Sequence, residues 1–257
     1  MRKISSMKRL LLIIYQILIW FPVTFTATIL TSFTVSIGCL CGGEKIFSYY
    51  PGVIWARIIC IITLCPVKIK GRELIDKNKS YVFIANHQSA YDIFLVYGYL
   101  GQPIKWVMKQ SLRKLFAVGY ACEMCGFIFV DSSSPQAAAK TIKQAEERLK
   151  NGASVFLFPE GSRSHNGNLN KFKKGAYQMA MDLNLPIVPV TINGTYTVMS
   201  KNTFFITPHT IEMIIHEHIK TDQYKADNLR DVASNMRLLV DKTREIIARD
   251  LKPVKPQ

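Results

Sequence analysis

Between Leu10 and Gly43 the chain carries no charged residue. One helix needs only about 20 apolar residues to cross a bilayer, and this run is longer. A helix apolar on every face must be sheathed by lipid or by protein. A secretory leader fits less well, because its apolar core is only about 7–15 residues and ends at a small-residue cleavage site. Pro22, Gly38, Gly42 and Gly43 offer places to bend or stop. A second apolar stretch covers 53–67, interrupted by Arg57, whose guanidinium can snorkel to headgroups or line a protein interface. The expectation is a membrane-associated helical anchor over residues 1–66, with helices at 8–40 and 50–66, either a spanning pair or a shallow hairpin in one leaflet. The alternative is a helical pair buried in a soluble protein. Arg2, Lys3, Lys8 and Arg9 ahead of the run favour a cytoplasmic start. A hairpin then returns the rest of the chain to the cytoplasmic face of the cell membrane.

After Pro66 the texture changes. Short runs rich in Val, Ile and Phe at 67–70, 81–85, 105–108, 127–130, 154–158, 187–192 and 210–215 read as strands. Amphipathic stretches at 90–98, 111–118, 135–150, 175–183 and 226–250 read as helices. Runs apolar on both faces suit a covered sheet, and the alternation predicts an α/β domain over 67–250: a mixed, mostly parallel sheet flanked by helices. Leu229, Val232, Met236, Leu239, Val240 and Ile247 make the last helix a packing helix. The tail, 251–257, is expected to be disordered.

The net charge of +15 suits anionic partners. Nucleic acid is suggested by charge alone, whereas a charge-free apolar front matches an anionic membrane surface better, so no nucleic acid is expected. Four of the six cysteines sit in or beside apolar segments, where a thiol behaves as a small hydrophobe; Cys122 and Cys125 have CxxC spacing but no second pair and no histidine cluster nearby, so neither a metal nor a redox site is expected there. Without a disulfide framework, a reducing compartment fits. His216-Glu217-His218 supplies too few ligands for zinc; it reads as a surface feature with both histidines on one strand face, and no metal is expected.

In open α/β sheets chemistry collects at the carboxyl ends of strands. Three polar clusters fall there: Asn86-His87, Asp131-Ser132 and Pro159-Glu160-Gly161-Ser162-Arg163. His87 and Asp92 would lie about 140° apart on one continuous helix and could not meet. They can meet if His87 is still in the loop and the helix starts at Ser89 or Ala90, with Ser89 as N-cap and Asp92 in the first turn. Asp92 would then fix the tautomer and leave the other nitrogen as a base. The same pair could equally be a staple that holds the loop. No G-x-S-x-G elbow occurs and no cysteine adjoins a histidine, so a basic His87 would take its proton from a substrate hydroxyl in a direct transfer.

In Phe158-Pro-Glu-Gly-Ser-Arg163 a strand ends in a turn. Gly161 permits close approach of the backbone, and Arg163 offers a planar fork that matches phosphate. Glu160 can hold Arg163 or touch a substrate hydroxyl; a local salt bridge is the plainer reading. Lys105, Lys109, Lys173 and Lys174 are further cations that together could surround a phosphate.

These blocks resemble the glycerolipid acyltransferases. Asn86-His87-Gln-Ser-Ala-Tyr-Asp92 is similar to their His-x4-Asp block, and Phe158–Arg163 to their Phe-Pro-Glu-Gly-Thr-Arg block with serine for threonine. Gly126–Asp131 resembles the block between them, and Ile187-Val-Pro-Val190 the fourth. The resemblance spans about half the chain, 81–194, and its strength lies in four weak motifs in the right order. It implies that His87 deprotonates the sn-2 hydroxyl of lysophosphatidic acid with Asp92 orienting it. It also implies that Lys109 and Arg163 bind the acceptor phosphate and that Glu160, Gly161 and Ser162 complete the substrate site. The donor would be acyl-CoA or acyl-carrier protein, with no bound cofactor, and the N-terminal helices would be the membrane anchor. One position departs: the second block usually ends in arginine and here reaches Ser132, which leaves room for another lyso-lipid acceptor. A non-catalytic lipid-binding protein of the same fold would need no His–Asp pair.

Overall fold

The computed structural model describes residues 6–131, 134, 136, 137, 143, 153–201, 203–225 and 229–254. The apolar front forms one long helix, α1 (Ser6–Leu40). Its Gln16–Trp20 stretch is wound as a π turn just before Pro22. Proline has no N–H for the carbonyl four residues earlier, and the wider turn absorbs that break. Gly42, at φ +83°, stops the helix, a turn over Glu44–Phe47 reverses the chain, and α2 (Tyr50–Ile62) returns along α1. The reversal is tight: a Cβ on Gly38 would fall 2.1 Å from the Phe47 ring.

The sheet has seven strands in the order β1-β7-β6-β2-β5-β3-β4. They are β1 (Val67–Lys70), β2 (Val82–Ala85), β3 (Ile104–Lys109), β4 (Ile128–Val130), β5 (Ser154–Leu157), β6 (Ile187–Asn193) and β7 (Ile211–Ile215). The β6-β2-β5-β3-β4 block is parallel throughout; β7 pairs antiparallel with β6, and β1 parallel with β7. This is the mixed, mostly parallel sheet expected.

Central strands are buried on both sides because period-2 side chains feed two cores. Phe83, Ala85, Phe156, Val188, Val190 and Ile192 face one core. That core is closed by Trp20 of α1, Ala56 and Ile59 of α2, and Tyr91 and Leu95 of α3 (Tyr91–Tyr99). Val82, Ile84, Val155, Leu157 and Ile187 face the other. There α5 (Gly175–Asp182) contributes Tyr177 and Met179, and α6 (Leu229–Asp250) contributes Met236, Leu239 and Ile247. The N-terminal helices are therefore part of one core layer, while their outer faces leave Leu11, Leu18, Phe25, Phe33 and Ile54 bare. Arg57 lines an interface: its Nε donates to the Gly98 carbonyl at 2.8 Å and its guanidinium sits over the Tyr99 ring.

Three expectations need correction. The helix placed at 111–118 is instead a 3-10 turn (Gln110–Lys114), followed by α4 (Val118–Met124). A Cβ on Gly119 would meet the Arg113 carbonyl at 2.0 Å, so the chain folds back on itself there. Most of the helix expected at 135–150, and Ser132 with it, lies outside the described residues. Residues 251–254 are not loose. The Lys252 N–H donates to Asn193 Oδ1 at 2.8 Å, Lys252 Nζ pairs with Glu212, and Val254 occupies the space beside Gly167.

Finally, β7 ends at Ile215, so His216 and His218 share no strand face: His216 is buried and His218 exposed. His216 Nε2 lies 2.8 Å from Thr191 Oγ, and burial holds its pKa below the ordinary histidine value of 6.5, against the pull of Asp250. A base with a depressed folded pKa adds stability above its free pKa and loses it as pH falls through the folded value. The unfolding midpoint is thus expected to drop on acidification below pH ~6.5. His216→Gln should flatten that slope; an unchanged slope would assign it to other groups.

Candidate active site

Parallel pairing brings the ends of β2, β5, β3 and β4 to one edge. Register aligns Ile84 with Leu157 and Trp106 with Phe156, so His87, the Pro159–Arg163 turn and Lys109 emerge side by side. Asn86 fixes the first of these loops. Its Nδ2 donates to the Ile192 carbonyl and its Oδ1 accepts the Ile192 N–H, both at 2.8 Å. The side chain thereby continues the β2–β6 ladder one step beyond the strand.

The helix does begin after His87. α3 starts at Tyr91, and Ser89 Oγ accepts the Tyr91 N–H at 3.1 Å. Asp92, fully buried in the first turn, turns back over the loop. Its Oδ2 lies 2.7 Å from His87 Nδ1 and accepts the N–H groups of Gln88 and Ser89 at 2.7 and 3.0 Å. An oxygen that already accepts two backbone protons presents lone pairs, so Nδ1 carries the hydrogen and Nε2 the free lone pair. The positive end of α3 adds to the stabilisation of the carboxylate. Asp92 Oδ1 is buried without a partner among the described residues.

The imidazole lies flat on Phe158, with ring centroids 3.9 Å apart and planes within 10°, and Phe158 in turn stacks on Trp106. One face of the ring is closed to water. Its side chain keeps 15% exposure, and Nε2 has no protein partner among the described residues. The arrangement gives an oriented imidazole with one basic nitrogen at a water-poor rim, fit to take a proton from a hydroxyl placed there.

The second turn is tied to the first. Glu160 Oε1 accepts the His87 N–H at 2.8 Å and Oε2 accepts the Asn170 N–H at 3.0 Å. The Ser164 N–H donates to the His87 carbonyl at 2.8 Å. Glu160 is buried, and desolvation raises its carboxyl pKa against these hydrogen bonds. With both oxygens taken by backbone donors it does not pair with Arg163, as the sequence suggested it could. Gly161 adopts φ +72°, and a Cβ there would stand 2.7 Å from Lys173 Nζ. The missing side chain lets that ammonium lie over the turn.

Ser162 is exposed and Arg163 half-buried. Arg163, Lys109 and Lys173 carry no side-chain hydrogen bond or ion pair among the described residues. Lys105 is elsewhere: its Nζ donates to the Cys125 carbonyl and lies 4.0 Å from Glu44, toward the amino end of β3. Burial pushes the thiol of Cys122 up to about 11 and that of Cys125 to about 12, so neither is a thiolate at neutral pH. The contributions of Ser164 and Asn170 have no local sequence signal, because each acts through a contact across the fold, and Phe158 opens the Phe158–Arg163 block without any sign there of its stacking on His87.

Comparison with known proteins agrees with this architecture. A family model described as "Acyltransferase" matches residues 66–193, which include every site residue named above. The 1-acyl-sn-glycerol-3-phosphate acyltransferase BAT2 of Brassica napus is 36% identical over 191 residues, 74% of this chain and 54% of the relative. The 1-acyl-sn-glycerol-3-phosphate acyltransferase of Saccharomyces cerevisiae is 33% identical over 70% of this chain and 60% of its own length. The chain thus spans little more than half the length of these curated relatives. The crystal structure of the 1-acyl-sn-glycerophosphate acyltransferase PlsC from Thermotoga maritima shares the fold, with a TM-score of 0.75 at 24% identity over 95% of this chain and 97% of that one. This chain belongs to the acyltransferase family.

Proposed function

We propose that the protein transfers an acyl chain from acyl-CoA or acyl-carrier protein to the sn-2 hydroxyl of 1-acyl-glycerol-3-phosphate, giving phosphatidic acid. The observation that carries this reading is the oriented His87–Asp92 pair beside three uncommitted cations. His87 Nε2 takes the hydroxyl proton as the oxygen attacks the thioester carbonyl. Asp92 holds Nδ1–H and balances the imidazolium that forms. Collapse of the tetrahedral intermediate breaks the carbon–sulfur bond, and the imidazolium returns its proton to the departing thiolate. Phosphatidic acid and free thiol leave, and His87 is neutral again. Glu160 acts as a positioning residue, through the His87 backbone. The experiment is incubation of the full chain with labelled acyl-CoA and lysophosphatidic acid. Labelled phosphatidic acid with matching thiol release is expected, and hydrolysis to free fatty acid alone would defeat the reading.

Arg163, Lys109 and Lys173 form the phosphate site of this reading. A charge-assisted hydrogen bond contributes about 1.5–3 kcal/mol, so loss of one should weaken acceptor binding roughly tenfold or more. Gly161→Ala strains a left-handed backbone position and displaces Lys173. It is expected to raise KM for the lyso-acceptor and leave KM for the donor near its original value; equal changes in both would remove Lys173 from the acceptor site. Ser132, where the family usually carries arginine, favours a second reading in which the acceptor is a different lyso-lipid.

The outer faces of α1 and α2 would lie in the cytoplasmic leaflet of an anionic cell membrane. Gln16 of α1 exchanges hydrogen bonds with Ile206, while Val35 packs with Ala121 of α4. Both halves of α1 are thus fastened to the α/β domain, which favours a hairpin in one leaflet over a crossing pair.

A further inference from the structure

The two barest large apolar side chains among the described residues are Phe204, 90% exposed, and Phe116, 79% exposed. Neither lies on α1 or α2. Phe116 ends the segment that follows Lys109 on one side of the candidate site, with Leu115 also bare and Lys114 next to it. Phe204 lies on the loop after β6, on the other side. That loop is tied to the site by a 2.6 Å hydrogen bond from Ser89 Oγ to the Met199 carbonyl, and to α1 through Ile206 and Gln16.

The backbone at Phe116 is strained. Ala117 has φ 57° and ψ −46°, and the Val118 N–H donates to the Phe116 carbonyl across one residue. A three-residue turn at positive φ is rare and costly for a residue with a Cβ. Here it holds an aromatic ring that is 79% exposed. Bare apolar side chains of this size mark an interaction surface.

We propose that Phe116 and Phe204 are interfacial pegs. They enter an anionic leaflet on either side of the site, at the boundary of headgroups and acyl chains, and hold the His87 rim at headgroup depth. The proposal rests on the membrane reading of α1 and α2. Two features of the structure single out lipid as the occupant. The segment bearing Phe116 runs into α4, which packs on α1, and Phe204 lies two residues from the Ile206 contact with Gln16 of α1, so both pegs sit on segments fastened to that helix. Lys114, two residues before Phe116, adds positive charge that an anionic leaflet attracts.

The test uses the full-length variants Phe116→Trp and Phe204→Trp on vesicles of phosphatidylglycerol and phosphatidylcholine. Emission is read as the difference from the parent protein, which removes Trp20, Trp55 and Trp106. Each new indole is expected to shift to the blue on the vesicles, to lose most of its emission to lipid brominated near the top of the acyl chain, and to be shielded from iodide. A variant that floats with the vesicles but is quenched by iodide and not by brominated lipid overturns the pegs and leaves the anchor standing. A protein that does not float overturns the anchor and the pegs together. In addition, Leu115→Ser with Phe116→Ser should cut turnover of vesicle-borne acceptor several-fold while sparing a short-chain, freely soluble one. Equal loss on both would assign the segment a role inside the fold.

Discussion

His87→Ala is expected to lower acyl transfer by roughly 10²–10⁴-fold, the usual worth of a positioned general base, with little change in stability. The side chain stacks on Phe158 and meets Asp92, while the backbone bonds to Glu160 and Ser164 are independent of the ring. The effect should fall on kcat, because no part of the imidazole is assigned to the acceptor phosphate. Turnover that survives the substitution would move the proton transfer to another group.

Asp92→Ala is expected to do more damage than the histidine change, because it acts on rate and stability together. One buried oxygen accepts from two backbone N–H groups and one imidazole nitrogen. Alanine leaves these donors without an acceptor, which costs on the order of 3 kcal/mol and loosens the loop that carries His87. Asp92→Asn separates the two roles. Its amide oxygen can occupy the Oδ2 position and its NH2 the partnerless Oδ1 position, so the loop should hold. The negative charge facing the imidazolium is gone, however, and the rate should still fall by on the order of 10²-fold or more. A stable, fully active asparagine variant would reduce the pair to a loop staple.

All seven strands were legible in the sequence because both faces of the central ones are apolar, a pattern that only a covered sheet satisfies. The His87–Asp92 meeting was legible as a condition on where α3 begins, and Ser89 supplied the signal for it. Other features depended on partners distant in the chain. Lys105 and Lys109 share a strand face but sit toward opposite ends of β3, so proximity in sequence did not make them neighbours in the site. Glu160 looked free to meet Arg163 until the fold brought the N–H groups of His87 and Asn170 to its two oxygens. The segment at 111–118 has the spacing of an amphipathic helix, yet Gly119 draws the chain back against the Arg113 carbonyl. The tail reads as polar and proline-rich, and only the groove beside Gly167 and Asn193 shows why it is held.

In the proposed reaction the site joins an acyl thioester to a lyso-lipid bearing a phosphate monoester. Its most direct test is thiol release by the full chain with one acyl-CoA and a panel of 1-acyl acceptors that differ only in headgroup. The highest kcat/KM is expected for 1-acyl-glycerol-3-phosphate, with that preference lost in Arg163→Ala through a higher acceptor KM. Preference for an acceptor without a phosphate monoester, or a preference unchanged by Arg163→Ala, would contradict it.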